Sequence, residues 1–270
     1  MLEIHTTAQA APLATAAAKS VVTEMCGETA QLLIARPPLN VLDLGMIQRL
    51  RSSLKDLLDD AAVKLIEIHG SDSAFCAGVE IRDHFPERAA EMLSEFHGLI
   101  RTVLYARVPV VSVVRGFCLG GGMELALASD FVVASEDSSF GQPEIRVGCF
   151  APVASVLLPR LIPEKKALEI LLSGEMISGV EAERLGFVNR VAPAAALGAE
   201  VDRFRRRLLT QSPAVLALAR KAARIGSRAG FESALRESER IYLEELLKTE
   251  DAVEGLQAFV EKRDPKWKGQ

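Results

Sequence analysis

The sequence predicts an α/β fold in which strands alternate with helices and pair mainly in parallel. Three features of the 270-residue chain support this prediction. Short β-rich runs recur between amphipathic helices over the first two thirds of the chain. One of them, Pro109–Val114, is continuously apolar and mostly β-branched, as is typical of a strand covered on both faces. Past Pro163 the pattern changes, and almost everything to Glu261 has helical spacing.

The chain begins with an Ala- and Thr-rich stretch, residues 1–20, for which we predict a flexible tail. It lacks the basic start and the apolar segment of a signal peptide. Val21–Cys26 and Thr29–Ala35 then predict two strands of a hairpin around Gly27. From Asp43 to Leu58, apolar residues recur every three or four positions and predict an amphipathic helix.

The later elements divide the chain into an α/β core over residues 21–195, which carries the active site, and a helical region over residues 196–270. A start signal, Thr249-Glu250-Asp251, precedes the last helix. The remaining predicted core elements are strand Val63–His69, helix Ala89–Ala106, strand Pro109–Val114, helix Met123–Ala128 and strand Phe131–Ala134. The helices predicted beyond Pro163 are Lys165–Leu172, Gly179–Leu185, Ala195–Leu209, Pro213–Ile225, Gly230–Lys248 and Asp251–Val260.

Charge and cysteine usage narrow the classes of function. The formal net charge of −4 argues against nucleic acid or an anionic membrane as the main partner. No apolar run approaches the ~20 residues that a membrane-spanning helix needs. The four cysteines (Cys26, Cys76, Cys118, Cys149) are scattered without a Cys-x-x-Cys pair. They indicate reduced thiols in a cytoplasmic protein rather than a disulfide framework or a metal site.

Glu124 is the first candidate for acid–base chemistry. On a helix it would share its face with Leu127, Ala128 and Phe131, which are all apolar, so we expect it to be buried. Burial disfavours the charged form and raises a carboxyl pKa toward neutrality, which suits proton transfer. The alternative is a buried glutamate that pairs with an arginine or lies at a helix N-terminus for structural reasons.

Three successive glycines, Gly120-Gly121-Gly122, lead into this predicted helix. They place free N–H groups at the positive end of the helix, where an anion or oxyanion can bind. The alternative is a tight turn, for which glycine is the usual residue. Small residues also follow the strand Val63–His69, in the segment Ser73–Glu80, where Gly78 permits close approach of the backbone to a ligand.

Glu144 is the second carboxylate. It follows Pro143, whose fixed φ stiffens the loop, in the segment Phe140-Gly141-Gln142-Pro143-Glu144. Two carboxylates near free backbone N–H groups form a known arrangement for acid–base chemistry on a carbonyl compound. Taken alone, Glu144 is more typical of an ordinary exposed loop carboxylate.

Together these segments resemble the crotonase (enoyl-CoA hydratase/isomerase) superfamily, from about Val21 to the C-terminus. The resemblance implies a spiral of β-β-α units with a C-terminal helical trimerisation region, assembled as a homotrimer or a dimer of trimers. The segments that carry it are Arg36-Pro37 with Leu39–Leu42, Ala74–Ile81, Gly116–Glu124, Phe140–Glu144 and Glu261–Pro265.

The resemblance also implies the substrate and the roles of individual residues. The substrate is an acyl-CoA thioester, and neither a metal nor a cofactor is implied apart from the coenzyme A that the substrate carries. The oxyanion-hole N–H groups of the family correspond to Val79 and Gly121, and its two hydratase carboxylates to Glu124 and Glu144. One carboxylate would act as base on a water molecule, and the other would exchange the proton at the α-carbon. The residues that the resemblance implies to line the substrate include Cys76, Ala77, Ile81, Gly120 and Pro143.

The chain departs from many hydratases at two positions. Pro152 falls where those enzymes carry a glycine whose N–H helps to place the water, and proline has no N–H. Pro38 replaces a basic residue that often lies near the CoA phosphates. We therefore expect the water to be held differently and the phosphates to be contacted from Arg36, Arg82 or Lys262.

Two segments, Val79–His84 and Gln142–Glu144 with Ala151–Ala154, look similar to the cyclic-dienoyl-CoA hydratases of anaerobic aromatic degradation. His84 would belong to the pocket in that subgroup, although a histidine in a loop is more often in contact with water.

Other functions on the same fold stay open, because a fold does not fix a function. Relatives that keep one carboxylate are often isomerases, and one superfamily member binds AU-rich RNA. RNA binding calls for a basic stripe interleaved with aromatic residues. The densest basic runs here, which we expect to be solvated helix faces, are Arg203, Arg205, Arg206 and Arg207, followed by Arg220, Lys221 and Arg224.

Overall fold

The computed structural model describes residues 20–228 and 230–266, so nearly all of the predicted tail lies outside the described residues. The strands are β1 (Val21–Cys26), β2 (Thr29–Ile34), β3 (Leu65–His69), β4 (Ala74–Cys76), β5 (Val110–Val114), β6 (Phe117–Leu119), β7 (Phe131–Ser135), β8 (Ser139–Gly141), β9 (Met176–Ser178) and β10 (Arg190–Ala192). The helices are α1 (Leu44–Asp59), α2 (Pro86–Leu104), α3 (Gly121–Ala128), α4 (Pro152–Leu161), α5 (Glu164–Ser173), α6 (Gly179–Leu185), α7 (Leu197–Leu209), α8 (Pro213–Arg228), α9 (Phe231–Arg240) and α10 (Glu250–Glu261).

The strands form two sheets. The larger has six strands in the order β1-β2-β3-β5-β7-β10, and the smaller has four in the order β4-β6-β8-β9. Neighbours are parallel in both sheets except for the β1–β2 hairpin and the β8–β9 pair. The predicted hairpin and the predicted parallel α/β core are therefore confirmed.

A repeated unit explains how one chain builds both sheets. In β3-β4-α2, β5-β6-α3 and β7-β8-α4, a strand of the larger sheet is followed by a strand of the smaller sheet and then by a helix. Each repetition moves the chain one position along both sheets, which is the predicted spiral of β-β-α units. As a result, the segments that follow β4, β6 and β8 lie at one edge of the smaller sheet, because these strands are adjacent and parallel.

The prediction that nearly all of the chain past Pro163 is helical is wrong in several places. Two short strands, β9 and β10, interrupt this region. The predicted helix Gly230–Lys248 was also wrong, since α9 ends at Arg240 and is followed by a π-helical turn, Ile241–Glu245, and a 3₁₀ turn, Leu246–Lys248. The start of α10 was predicted correctly, because the side chain of Thr249 accepts a hydrogen bond from the Ala252 N–H as its N-cap.

We expected the basic runs to form solvated helix faces. This prediction is wrong for three arginines, which anchor their helices to the core. On α7, Arg205 makes a bidentate ion pair with the buried Glu67 of β3, at 2.7 and 3.1 Å. On α8, Arg220 and Arg224 both bind the carboxylate of Asp130, which precedes β7. These cations fix α7 to the middle of β3 and α8 to the residue that precedes β7.

Apolar packing completes the core. All residues of β5 are buried, as predicted for a strand covered on both faces. One face of the larger sheet packs with α1, α2 and α3 in the main core, and Leu65, Val111 and Val133 on the other face pack against Leu197 and Val201 of α7. No helix in the described residues is both long and apolar enough to cross a membrane.

Candidate active site

The carboxyl-terminal edge of the smaller sheet carries the segments that the sequence analysis selected. Val79 follows β4, Gly121 follows β6, and Glu144 follows β8. Ligands of parallel sheets usually bind where the carboxyl ends of adjacent strands meet. The spiral thus brings together residues that lie up to 65 positions apart in the sequence, because their three strands are consecutive neighbours in the sheet.

Glu124 is almost completely buried, as predicted, with 4% of its surface exposed. Every residue of α3 is buried, so this helix has no solvated face on which a glutamate could lie. Its Oε1 accepts a hydrogen bond of 2.8 Å from the N–H of Ala154, in the first turn of α4. Burial raises the pKa of Glu124, and the N–H groups of Ala154 and Val153 oppose this rise by stabilising the anion.

Glu144 lies in the 3₁₀ turn Pro143–Val147, with its carboxyl end directed inward. Its Oε2 is buried with no hydrogen-bond partner among the described residues. Burial raises its pKa to about 8, and the negative charge of Glu124 contributes to that increase. The prediction of an exposed loop carboxylate, which was the alternative for this residue, is therefore wrong.

Gly120 makes room for Glu144. Its φ of +52° is a left-handed conformation that favours glycine, and a Cβ at this position would overlap Glu144 Oε1. The next glycine is equally constrained, because a Cβ at Gly121 would lie 2.8 Å from Val79 Cγ2. Gly120 and Gly121 thus leave room for the side chains of Glu144 and Val79, which border the site.

The backbone segments that carry Val79 and Gly121 pass near one another, because a Cβ placed at Gly78 would be 4.0 Å from the Gly121 nitrogen. Within residues 20–228 and 230–266, the backbone N–H of neither residue donates a hydrogen bond to the protein. Gly121 is the first residue of α3, and the N–H groups in the first turn of a helix have no acceptor within that helix. Two free donors on neighbouring segments suit a carbonyl oxygen that gains negative charge.

Both carboxylates and both residues of the predicted oxyanion hole border one enclosed cavity of about 20 Å³. This volume accommodates a water-sized molecule. It is too small for the thioester that the family resemblance implies. The lining residues are Val79, His84, Met92, Leu93, Phe96, His97, Gly121, Glu124, Glu144, Phe150, Ala151, Pro152 and Tyr242.

A second, largely apolar hollow of about 170 Å³ lies on the other side of Glu144. It shares Glu144, Phe150 and Ala151 with the smaller cavity, so Glu144 borders both. Its remaining walls are Gln142, Ile145, Ser155, Pro159, Leu168, Leu171 and Leu172.

His84 and Pro152, which sequence reasoning placed near the substrate, also line the small cavity. Nδ1 of His84 is 3.1 Å from the Glu80 carbonyl oxygen, and burial lowers its pKa. His84 is half-buried, so its ring is only partly in contact with solvent. Pro152 is the first residue of α4, where a missing N–H leaves no helical hydrogen bond unmade.

The other predicted substrate-binding residues do not line this cavity. Cys76 is fully buried, and its pKa is raised to about 12 by burial. Arg36 is paired with Asp43 at 3.0 Å, whereas Arg82 and Lys262 are exposed. Of the remaining four, Gly120 and Pro143 are next to cavity-lining residues in the sequence, and Ala77 and Ile81 are each two positions from Val79. Their roles in substrate binding stay predictions.

Sequence reasoning missed two polar residues of the cavity, His97 and Tyr242. The available signal for His97 was its position between Leu93 and Ile100 on the apolar face of the predicted helix Ala89–Ala106. Tyr242 had no such signal, because the turn that holds it interrupts a segment with continuous helical spacing.

A larger open hollow of about 670 Å³ lies along α10, away from both candidate carboxylates. Its arginine, Arg263, is already paired with Glu254 and Glu261. No group of three or more His, Cys, Asp or Glu residues in the described part of the chain is placed to hold a metal ion.

Comparison with known proteins identifies the family to which the chain belongs. A family described as enoyl-CoA hydratase/isomerase matches residues 25–270. The chain is 40% identical to the cyclohexa-1,5-dienecarbonyl-CoA hydratase of Thauera aromatica, over 90% of this chain and 94% of that protein. It is 34% identical to a probable mitochondrial enoyl-CoA hydratase of Dictyostelium discoideum, over 91% of this chain and 89% of that protein.

A solved structure shows the same architecture over nearly the whole length. An enoyl-CoA hydratase from Mycobacterium avium subsp. paratuberculosis K-10 superposes with a TM-score of 0.84 at 29% sequence identity, covering 92% of this chain and 98% of that one. With the family match spanning almost the entire sequence, the chain belongs to the enoyl-CoA hydratase/isomerase family.

Proposed function

We propose that this protein adds water across the double bond of an α,β-unsaturated acyl-CoA thioester. The observation that carries the proposal is that two carboxylates in unequal environments border one cavity with two free backbone N–H groups. The thioester oxygen would accept hydrogen bonds from Val79 and Gly121, which stabilise the enolate-like charge on that oxygen. Removing one such donor typically costs ~3–4 kcal/mol of transition-state stabilisation.

The environments of the two carboxylates support different roles. Glu124 is stabilised as an anion by backbone N–H groups, so it is the one suited to accept a proton from water. Glu144 has a pKa of about 8 and is therefore mostly protonated at neutral pH, which suits it to donate a proton. Pairs of carboxylates whose surroundings separate their pKa values commonly divide the acid and base roles in this way.

In the proposed step, Glu124 removes a proton from water while the water oxygen forms a bond to the β-carbon. The electron pair of the carbon–carbon double bond moves through the α-carbon onto the thioester oxygen, where the two N–H groups receive it. The enolate then collapses and takes a proton from Glu144 at the α-carbon. Both carboxyl groups return to their starting states when the product leaves and one proton passes back between them.

The volume of the apolar hollow supports a compact, cyclic acyl group. An apolar protein cavity of about 150 Å³ is known to bind benzene, and the hollow beside Glu144 measures about 170 Å³. The relative from Thauera aromatica is named for a six-membered cyclic dienoyl thioester. We therefore place a cyclic dienoyl-CoA first among the candidate substrates, ahead of a long straight chain.

Two alternatives are less well supported. An isomerase moves a double bond without adding water, and one carboxylate is enough for that reaction. The presence of both Glu124 and Glu144 at one cavity favours hydration. Binding of RNA is disfavoured because Arg205, Arg220 and Arg224 are already paired with carboxylates of the core.

We also propose the remaining properties that the family resemblance implies. The protein would act without a metal or a separate cofactor, the coenzyme A belonging to the substrate. Residues 196–270 would assemble it as a homotrimer or a dimer of trimers around the core of residues 21–195. A cytoplasmic location, which the scattered cysteines predict, is likewise a proposal.

The test follows the loss of ultraviolet absorbance of crotonyl-CoA and of a cyclic dienoyl-CoA, with uptake of ¹⁸O from labelled water as proof of hydration. Glu124→Gln and Glu144→Gln should each lower kcat by about 10²–10⁴-fold, the usual contribution of a general acid or base. Glu169→Gln, a surface change on α5, is the matched control. Full activity in both active-site variants, or a product without ¹⁸O, would contradict the proposal.

A further inference from the structure

The small cavity contains an unusual concentration of buried polar atoms without partners. Within the described residues, seven buried side-chain nitrogen or oxygen atoms make no hydrogen bond. Three of these seven, His97 Nε2, Glu144 Oε2 and Tyr242 OH, belong to residues that line this one cavity. Leaving such an atom unsatisfied costs ~1–3 kcal/mol each. Three of them around a water-sized space indicate that the cavity is built to receive a small polar molecule.

His97 lies on α2 and has no exposed surface. Its Nδ1 is 2.5 Å from Oε1 of Glu239 on α9, and this contact lowers the pKa of Glu239. Glu239 is therefore a carboxylate that accepts the Nδ1 proton, and Arg101 lies 3.9 Å from the same carboxylate oxygen. With the proton on Nδ1 bound in this way, Nε2 is the nitrogen that remains as an acceptor for the cavity.

Tyr242 reaches the same cavity from the C-terminal region. It lies in the π-helical turn Ile241–Glu245, and such turns occur often at functional sites. Its ring packs edge-to-face on Phe150, with centroids 5.2 Å apart, which fixes the direction of the hydroxyl group. The hydroxyl is near the Cys149 thiol, but the two do not form a hydrogen bond by geometry.

The backbone of α4 cannot supply the contact that these side chains offer. Pro152 has no N–H, and the N–H of Ala154 is used by Glu124. A reacting water molecule has two O–H donors and two lone pairs, and one lone pair attacks the β-carbon. If Glu124 accepts one O–H, the second O–H and the remaining lone pair still need partners.

We infer that His97 and Tyr242 are further catalytic residues that hold this water, and that Glu239 is a positioning residue for His97. The inference rests on the proposed hydration. Nε2 of His97 accepts the second O–H of the water, and the Tyr242 hydroxyl donates to its free lone pair. The attacking lone pair is then directed at the β-carbon while Glu124 takes the first proton. These two side chains replace the N–H that Pro152 lacks.

The experiment separates placement of water from stabilisation of the enolate. Exchange of the α-proton of a saturated acyl-CoA thioester in D₂O needs the enolate but no attacking water. Tyr242→Phe and His97→Leu should lower kcat for hydration by about 10–100-fold, the loss of one hydrogen bond in the transition state. KM and the exchange rate should stay at the wild-type values. His97→Gln should recover part of the hydration rate, because its amide oxygen can accept where Nε2 did.

Matched controls come from the same pair of helices. The Tyr105 hydroxyl, just after α2, binds Glu232 of α9 at 2.7 Å, away from the cavity. Tyr105→Phe and Glu232→Gln should keep full activity, whereas Glu239→Gln should lower hydration more than Glu232→Gln does. Circular dichroism confirms folding, and Tyr242→Phe with His97→Gln decides the matter if His97→Leu does not fold.

Two results overturn the inference while leaving the proposed function in place. One is a wild-type hydration rate in both Tyr242→Phe and His97→Leu. The other is an equal fall of hydration and α-proton exchange, which would mean that the substitutions disturb the whole site. A wild-type protein that hydrates neither crotonyl-CoA nor a cyclic dienoyl-CoA would instead overturn the proposed function and this inference together.

Discussion

Glu144→Gln should stabilise the folded protein, and the stabilisation should grow with pH. In the folded state Glu144 is buried beside the negative charge of Glu124, and its pKa is about 8, compared with 4.5 for a free side chain. Glutamine has nearly the same shape but does not ionise. The substitution therefore removes the destabilisation that burial and the charge of Glu124 cause when a carboxylate occupies this position.

The sign follows from which state releases its proton first. Between pH 4.5 and about 8 the unfolded chain loses the Glu144 proton while the folded chain keeps it, so the wild type becomes less stable as pH rises. Each unit of pKa difference corresponds to ~1.4 kcal/mol, which gives about 5 kcal/mol for the whole window and about 3 kcal/mol at pH 7. The advantage of Glu144→Gln should accordingly be near zero at pH 4.5, increase through neutral pH and level off above pH 8.

Urea denaturation at pH 5, 6, 7 and 8, followed by circular dichroism, measures this difference. Protein concentration must be the same in every experiment, because oligomer formation would otherwise change the apparent stability. Comparison of the two proteins cancels the contributions of titrating groups that do not interact with Glu144, such as the salt-bridged Glu67. Unfolding free energies that differ by the same amount at every pH would refute the reasoning, since the carboxylate would then not be desolvated in the folded state.

Three further predictions concern other parts of the structure. Gly120→Ala should lower kcat at least ~10-fold, because its Cβ would displace Glu144 and because φ of +52° strains any other residue; a rate equal to the wild type in a steady-state assay would contradict it. Arg205→Leu should destabilise the fold by about 3–5 kcal/mol in urea denaturation, because it leaves the buried Glu67 unpaired; a loss below 1 kcal/mol would show that the pair is dispensable. A thiol reagent should modify one cysteine, Cys26, in the native protein and the buried cysteines only after unfolding; mass spectrometry of peptides would expose any faster reaction elsewhere.

The sequence was sufficient for features that depend on local patterns. The β1–β2 hairpin, α1 and the fully buried β5 follow from hydrophobic periodicity and from the turn at Gly27. The burial of Glu124 could be predicted in the same way, because a helix whose whole circumference is apolar has to lie inside the protein.

Short strands were beyond this kind of reasoning. β4, β6, β8 and β9 have three residues each, which is too short for a period of two to stand out from its surroundings. Such strands exist because neighbouring strands complete their hydrogen bonds, and that is a tertiary condition. The break of the predicted helix Gly230–Lys248 at Arg240 has the same origin, since the π-helical turn places Tyr242 in the core although the local spacing favours a continuous helix.

The amino-acid sequence by itself determined which groups we propose for the chemistry: two glutamates, a glycine turn with free N–H groups and the parallel α/β core that presents them. Only the tertiary structure decided that Glu144 is buried against Glu124, and that His97 and Tyr242 share their cavity. The physical reason is that a pKa and an unmet hydrogen bond depend on what surrounds a group in three dimensions. Those surroundings come from strands and helices that are distant in the chain and that become neighbours only when the spiral closes.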